Sequence, residues 1–367
     1  NEKDMKSIFY FSLYITLFQI ALGYFQMLSR SSFQSINPFV YHESIGDAFT
    51  GTLTGSGLGA FAAIKVSLTF MLYFPFLIAK MNFKVIFIFL ILLIGWILPS
   101  AVFSLICGFT AIFLYFVFDH FKKYILRFKI KPSFIYMLIV SILVFSFFAY
   151  LQPRNKVLLF SNIKQIYSTI KEQNTGLKTR KIIYYKNTLF KLPKEFPVML
   201  LIGVGPGNYS SRSAWIVSGV YLLKQHKFIK VTPSKIASNY NIKLWNRDLR
   251  TETFKGAGSI VHQPFSTWFS IFAETGIIGI LIFFLLMKYF YRSFILARKL
   301  YNDPFMNSIA SGLLISLIYI VILFIVENLF EYPQVMGQFF VFSCVLIKII
   351  ESKVKNARLN NSYYPKF

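Results

Sequence analysis

Residues 261–286 read VHQPFSTWFSIFAETGIIGILIFFLL, a polar stretch that turns into an unbroken apolar run. The run from Thr267 to about Tyr291 predicts a membrane-spanning helix, because about 20 helical residues cross the hydrocarbon of a bilayer. His262 is one of four histidines in 367 residues. It stands six residues before Trp268, and tryptophan is enriched where membrane meets water. A histidine at the mouth of a span makes this corner the first candidate for chemistry; the alternative is an ordinary interfacial histidine.

The rest of the chain agrees with a membrane setting. Mean hydropathy is +0.57, 44 residues are phenylalanine and only 14% are charged, against roughly 25% charged in a soluble domain. That excludes a soluble globular protein. The net charge of +25 would suggest nucleic acid in a soluble chain. Here much of it reads as orientation signal, since cytoplasmic loops are enriched in Lys and Arg, and no nucleic-acid partner is expected. Cys107 and Cys344 both lie in apolar runs, with no spacing that suggests a metal site or a disulfide framework.

The fold class predicted is an all-α polytopic helix bundle with one large loop. Eight spans are expected: Ser7–Leu28, Gly57–Ala79, Lys84–Leu98, Ala101–Phe118, Pro132–Leu151, Thr267–Tyr291, Asn307–Val326 and Pro333–Ile350. Residues 83–118 are too long an apolar stretch for one crossing at 1.5 Å per residue, and Pro99-Ser100 supplies the break. The division is therefore an N-terminal membrane region (1–151), a large loop (152–266), a C-terminal membrane region (267–350) and a tail (351–367). With both termini cytoplasmic, the short inner segments collect bases such as Lys122, Lys123, Arg127, Lys129 and Lys131, while ENLFEYP on the other side carries only Glu327 and Glu331. The loop 152–266 breaks the pattern, with 19 Lys and Arg against four acids. Long loops cross largely regardless of charge, and a basic one suits a phosphate-bearing ligand.

Within that loop, residues 176–209 read GLKTRKIIYYKNTLFKLPKEFPVMLLIGVGPGNY. A helix is expected from about Lys178 to Leu192, broken by Pro193 and carrying Arg180 and Tyr184. Gly203, Gly205 and Gly207 then form a turn in which backbone can approach a ligand closely. Downstream come His262-Gln263 and Glu274-Thr-Gly276-Ile-Ile-Gly279. Glu274 is expected about two turns into the sixth span. Ionisable residues within spans are functional candidates by default, the other reading being a structural partner for an arginine or a loop amide. Gly276 and Gly279 are expected to allow close helix packing.

In order and spacing these residues resemble the membrane family of O-antigen ligases and O-antigen polymerases. Its large outer loop carries an arginine before an aromatic helix, a proline-flanked glycine turn, a histidine followed by a polar residue, and a Glu-x-Gly-x-x-Gly entry to the next helix. Gln263 stands where the family usually has asparagine. Pro99-Ser100-Ala101 lacks the family's arginine, and it is open whether Lys65, an unexpected charge inside the second span, snorkels or stands in for it. Family members usually have ten or more spans, so further N-terminal helices are expected to precede this chain.

The resemblance implies a glycosyltransferase in the bacterial cytoplasmic membrane with its loop in the periplasm. The donor would be an undecaprenyl-pyrophosphate-linked oligosaccharide, and the acceptor another glycan or a lipid A core. It implies His262 as catalytic base, Arg180 as a donor-phosphate ligand, and Gln263, Glu274, Gly203, Gly205, Gly207 and Tyr184 in support; Arg212, just after the glycine turn, is a second candidate phosphate ligand by position alone. Histidine suits base catalysis because its unperturbed pKa is about 6.5, and arginine meets phosphate with a planar, permanently charged fork. The pyrophosphate is already a good leaving group, so no cofactor or metal is expected. Protein O-oligosaccharyltransfer, transport of a lipid-linked saccharide and a non-catalytic scaffold are the competing readings.

Overall fold

The computed structural model describes residues 2–32, 40–41, 48–53, 58–79, 82–99, 101–123, 184–211, 214, 234–240 and 266–359. Their regular structure is helical apart from a two-residue antiparallel pairing of Ser31–Ser32 with Val40–Tyr41. The membrane part comprises α1 (Glu2–Ser29), α2 (Leu58–Ala79), α3 (Phe83–Ile97) and α4 (Val102–Lys123). Among the described residues the loop contributes a π-helical turn (Asn187–Lys191) and the short helices α5 (Leu192–Glu195), α6 (Met199–Ile202) and α7 (Lys235–Tyr240). α8 (Thr267–Leu300), α9 (Pro304–Val326) and α10 (Pro333–Leu359) complete the bundle.

Five of these, α1, α2, α8, α9 and α10, are long and apolar enough to cross a membrane, while α3 and the apolar part of α4 are shorter. The chain is thus a helical membrane protein. Seven of the eight expected spans correspond to described helices, and the fifth, 132–151, lies outside the described residues. The break at Pro99-Ser100 is present: α3 ends at Ile97 and α4 begins at Val102. Asn82 caps α3 by accepting from the Val85 amide at 2.9 Å, and Pro304 opens α9 behind the cap Asp303, both common helix starts.

Burial separates inside from outside. α2 buries 83% of its most apolar window and α9 72%, against 28% for α8. A helix that is apolar all round belongs in the middle of a bundle. α9 accordingly packs against α2, α4, α8 and α10, with Gly312 pressed on the α2 backbone, where an added Cβ would lie 2.7 Å from Leu72 Cα. The polar groups around Tyr319 inside this core are paired. Tyr319 Oη bonds Ser104 Oγ (2.7 Å) and receives from Ser67 Oγ (3.0 Å), and Trp96 Nε1 donates to Ser104 Oγ (2.8 Å). Such pairing is needed because water is not there to supply partners.

Two glutamines in the C-terminal half of α1 are explained the same way. Gln26 accepts from the amides of Thr50 (3.1 Å) and Gly51 (2.8 Å) and donates to the Gly51 carbonyl (2.9 Å); Gln19 accepts from the Thr52 amide (2.6 Å). They hold residues 48–53 against the bundle, with Phe49 buried under Gly23. Part of what reads in sequence as polar loop is therefore an anchored segment.

Two expected boundaries need correcting. Pro193 does not break its helix. A π-helical turn, Asn187–Lys191, precedes it, with the Leu192 amide donating five residues back to Asn187, and the helix continues to Glu195. The wider turn shifts the backbone register ahead of a residue that has no amide to give. The second correction concerns α8, which is not one continuous rod. Gly276 adopts φ 65°, ψ −161°, so a short helix from Thr267 meets the spanning part at a kink.

Candidate functional site

The kink at Gly276 is where the loop docks. A helix leaves its last carbonyls without amide partners, and those of Ala273 and Glu274 would have to reach past Gly276. The glycine turn supplies the donors: Val204 N to Ala273 O at 2.9 Å and Gly205 N to Glu274 O at 3.0 Å. The approach is close enough to require glycine on both sides. Gly203, at φ 72°, ψ −173°, would carry a Cβ 2.1 Å from the Glu274 carbonyl carbon, and a Cβ on Gly276 would lie 2.3 Å from Leu201 O.

The Glu274 side chain completes this lock. It is 4% exposed and receives four backbone amides: Gly207 on Oε2 at 2.7 Å, and Tyr209 (3.1 Å), Ser210 (2.8 Å) and Ser211 (2.8 Å) on Oε1. Successive amides curled around an anion form a nest, and the anion here is the protein's own carboxylate. Glu274 lies two turns into the helix from Thr267, before the kink, and of its two readings the structural one holds, since its partners are loop amides. One expectation changes. The close approach expected of Gly203, Gly205 and Gly207 is made to α8, so this turn is not an open phosphate cradle. Gly276, likewise, packs on the backbone of α6 and not on another spanning helix, while a Cβ on Gly279 would strike Thr275 Oγ1.

Tyr184 ties the start of the described loop to the same corner. Its hydroxyl meets Ser210 Oγ at 2.8 Å and Ser270 Oγ at 3.3 Å, and Ser270 Oγ also reaches Asn328 and the Ser266 carbonyl. Burial, with Tyr209 beside it, pushes the Tyr184 hydroxyl well above the ordinary tyrosine range. It stays protonated and serves as a hydrogen-bonding strut. Tyr209 stacks on Tyr184 at 5.8 Å and meets Thr188 Oγ1 at 2.7 Å, while Tyr185 stacks on Phe269 at 4.6 Å and donates to Ile325 O at 3.0 Å. Replacing Tyr184 with phenylalanine is expected to cost about 1 kcal/mol, the net worth of a neutral hydrogen bond, readable as a small drop in thermal unfolding temperature of the purified protein.

The segment after α9 joins the corner too. Thr267 N donates to Glu327 O (3.3 Å), Thr267 Oγ1 meets Asn328 Oδ1 (3.0 Å), and the cap Ser266 donates to Phe324 O (2.8 Å). Trp268 faces inward, giving its Nε1 proton to Val321 O at 3.0 Å. From the other side α7 packs in, with Ser234 Oγ donating to Asn208 O at 2.7 Å, Tyr240 donating to Glu195, and Lys191 over the Tyr240 ring at 5.2 Å.

The structure thus brings Tyr184, Gly203, Gly205, Gly207 and Glu274 into one unit. His262, Gln263, Arg180 and Arg212 lie outside the described residues. Sequence reasoning missed Ser266, Ser270, Ser210 and Asn328. The first two had a readable signal: Ser266, Ser270 and Glu274 recur at intervals of four, which places them on one helix face. Among the described residues no group of three or more His, Cys, Asp or Glu side chains gathers to hold a metal ion.

No family model, curated protein or solved structure matches this chain. The class that fold and corner define is a helical membrane protein with a glycine-rich loop turn locked onto a kinked span.

Proposed function

We propose that the chain is a membrane glycosyltransferase of the O-antigen ligase and polymerase type, working at the periplasmic face of a bacterial cytoplasmic membrane on an undecaprenyl-pyrophosphate-linked glycan. The observation that carries this reading is the interlock itself. The glycine turn and the Glu-Thr-Gly kink, the two segments that most resemble that family, form one buried unit. With its carboxylate taken up by four amides, Glu274 acts as a positioning residue and leaves the base to His262, four residues ahead of the buried cap Ser266 in the chain.

In this reading His262 takes the proton of an acceptor hydroxyl as that oxygen attacks the anomeric carbon of the donor. The bond from that carbon to the pyrophosphate oxygen breaks, and undecaprenyl pyrophosphate leaves with the electron pair. Arg180, four residues before Tyr184, and Arg212, next after Ser211, hold the diphosphate and its growing charge.

Loss of a general base typically lowers rate by about a hundredfold or more. His262→Ala should therefore abolish transfer from a synthetic undecaprenyl-pyrophosphate oligosaccharide while leaving the thermal unfolding of the purified protein unchanged. A lengthened lipid-linked glycan identifies a polymerase, a glycosylated lipid A core a ligase, and a glycosylated protein an oligosaccharyltransferase. Parental transfer by His262→Ala refutes the assignment of the base. No product from parental protein that binds donor refutes the enzyme reading in favour of transport.

A further inference from the structure

The loop segment from Lys186 to Ile202 has two faces. Thr188, Leu192 and Met199 are buried against the corner. The other face holds large apolar side chains left exposed among the described residues: Phe190 is 69% exposed, Val198 65%, Leu201 61% and Ile202 59%. In water such a patch marks an interaction site.

Its position says what the partner is. The Leu201–Ile202 backbone lies against Gly276, with Leu201 O 2.3 Å and Ile202 N 2.6 Å from where a Gly276 Cβ would stand. Immediately beyond Gly276 the spanning part of α8 turns outward Ile278 (50% exposed) and Ile282 (63%), residues of a helix long and apolar enough to cross a bilayer. The exposed apolar side chains of α6 and of Val198 just before it therefore lie beside the outward-turned surface of α8. Exposed Lys186, Lys191 and Lys194 border it, with Glu195 the one exposed acid among them, and an excess of cationic side chains beside an apolar face is the pattern of segments that lie in the membrane interface.

We propose that residues 186–202 form an interfacial wedge whose apolar face is seated among the acyl chains of the leaflet on the loop side, with the lysines at the level of its anionic headgroups. The occupant of the patch is bilayer lipid. The Glu274 lock would then be held at the membrane surface itself, at the depth where a lipid-borne substrate presents its headgroup. This inference rests on the membrane fold and not on the proposed transferase reaction.

The test places a nitroxide at Phe190→Cys or Leu201→Cys in the full chain, with Cys107 and Cys344 replaced by alanine, in nanodiscs containing phosphatidylglycerol. Collision with oxygen, which concentrates in the bilayer, should exceed collision with a water-soluble nickel chelate at both positions, as at Ile282→Cys, and the order should reverse at Lys194→Cys. As a readout that leaves the wedge unaltered, parental protein is irradiated with a phospholipid bearing an acyl-chain diazirine, and adducts are expected on the peptide covering 196–203. Dominant nickel collisions at 190 and 201 would overturn the proposal by placing the face in water. Exclusion of both reagents, with no lipid adduct, would overturn it by showing that protein covers the face, either this chain or a second copy.

Discussion

Replacing Glu274 with alanine should speed hydrogen exchange of the peptide covering residues 204–212 by about a thousandfold. The buried carboxylate receives the amides of Gly207, Tyr209, Ser210 and Ser211. Hydrogen bonds to a charged group are each worth about 1.5–3 kcal/mol net. Water entering the vacated space recovers part of that, so a local cost of about 4 kcal/mol is expected. Each 1.4 kcal/mol is a factor of ten in the opening equilibrium that exchange reports. Glu274→Gln keeps one acceptor oxygen but turns an amide group toward backbone donors, so it should fall between parent and alanine. The proposed transfer activity should drop in step, since the lock shapes the segment that runs into Arg212. Unchanged exchange in Glu274→Ala would mean that the carboxylate does not hold the turn.

The second large effect is expected at the two glycines where loop and helix cross. Gly203 (φ 72°, ψ −173°) and Gly276 (φ 65°, ψ −161°) occupy backbone conformations that are essentially restricted to glycine. Strain alone would cost an alanine about 1–3 kcal/mol. The collision adds to it, because the atoms met are backbone on both sides: Glu274 C at 2.1 Å from a Gly203 Cβ, and Leu201 O at 2.3 Å from a Gly276 Cβ. Neither can swing away as a side chain would, so either substitution should separate the turn from the kink. An expected loss of more than about 3 kcal/mol should appear as a clear fall in thermal unfolding temperature. Gly337→Ala is the control, since a Cβ there meets nothing within 4 Å and alanine favours the helix. Matching unfolding temperatures for Gly203→Ala and Gly337→Ala would remove the case for the interlock.

Both effects follow from contacts between segments more than sixty residues apart, which explains how unevenly the corner could be read from sequence. The residues themselves were legible: Gly203, Gly205, Gly207, Glu274 and Tyr184 stand out by type and spacing, and all five meet. Their relationship was not. A loop amide was already one of the partners open to Glu274, but which amides they are, and that the glycine turn supplies them, is visible only in the structure. Pro193 misled for a local reason, because a π turn that re-registers the backbone leaves no mark in the apolar pattern.

The sequence by itself determined that this is a helical membrane protein and where most of its helices lie. Lipid offers backbone groups no partners and demands about 20 apolar residues per crossing, so the constraint is written along the chain as composition. Even the split between α3 and α4 is legible, since Pro99 interrupts the run. Tertiary structure alone decided that α8 kinks at Gly276, that Glu274 is spent on loop amides, and that the apolar side of residues 186–202 faces outward. Hydropathy counts how apolar a stretch is. It carries no record of a backbone dihedral, or of which distant amide a buried carboxylate will find.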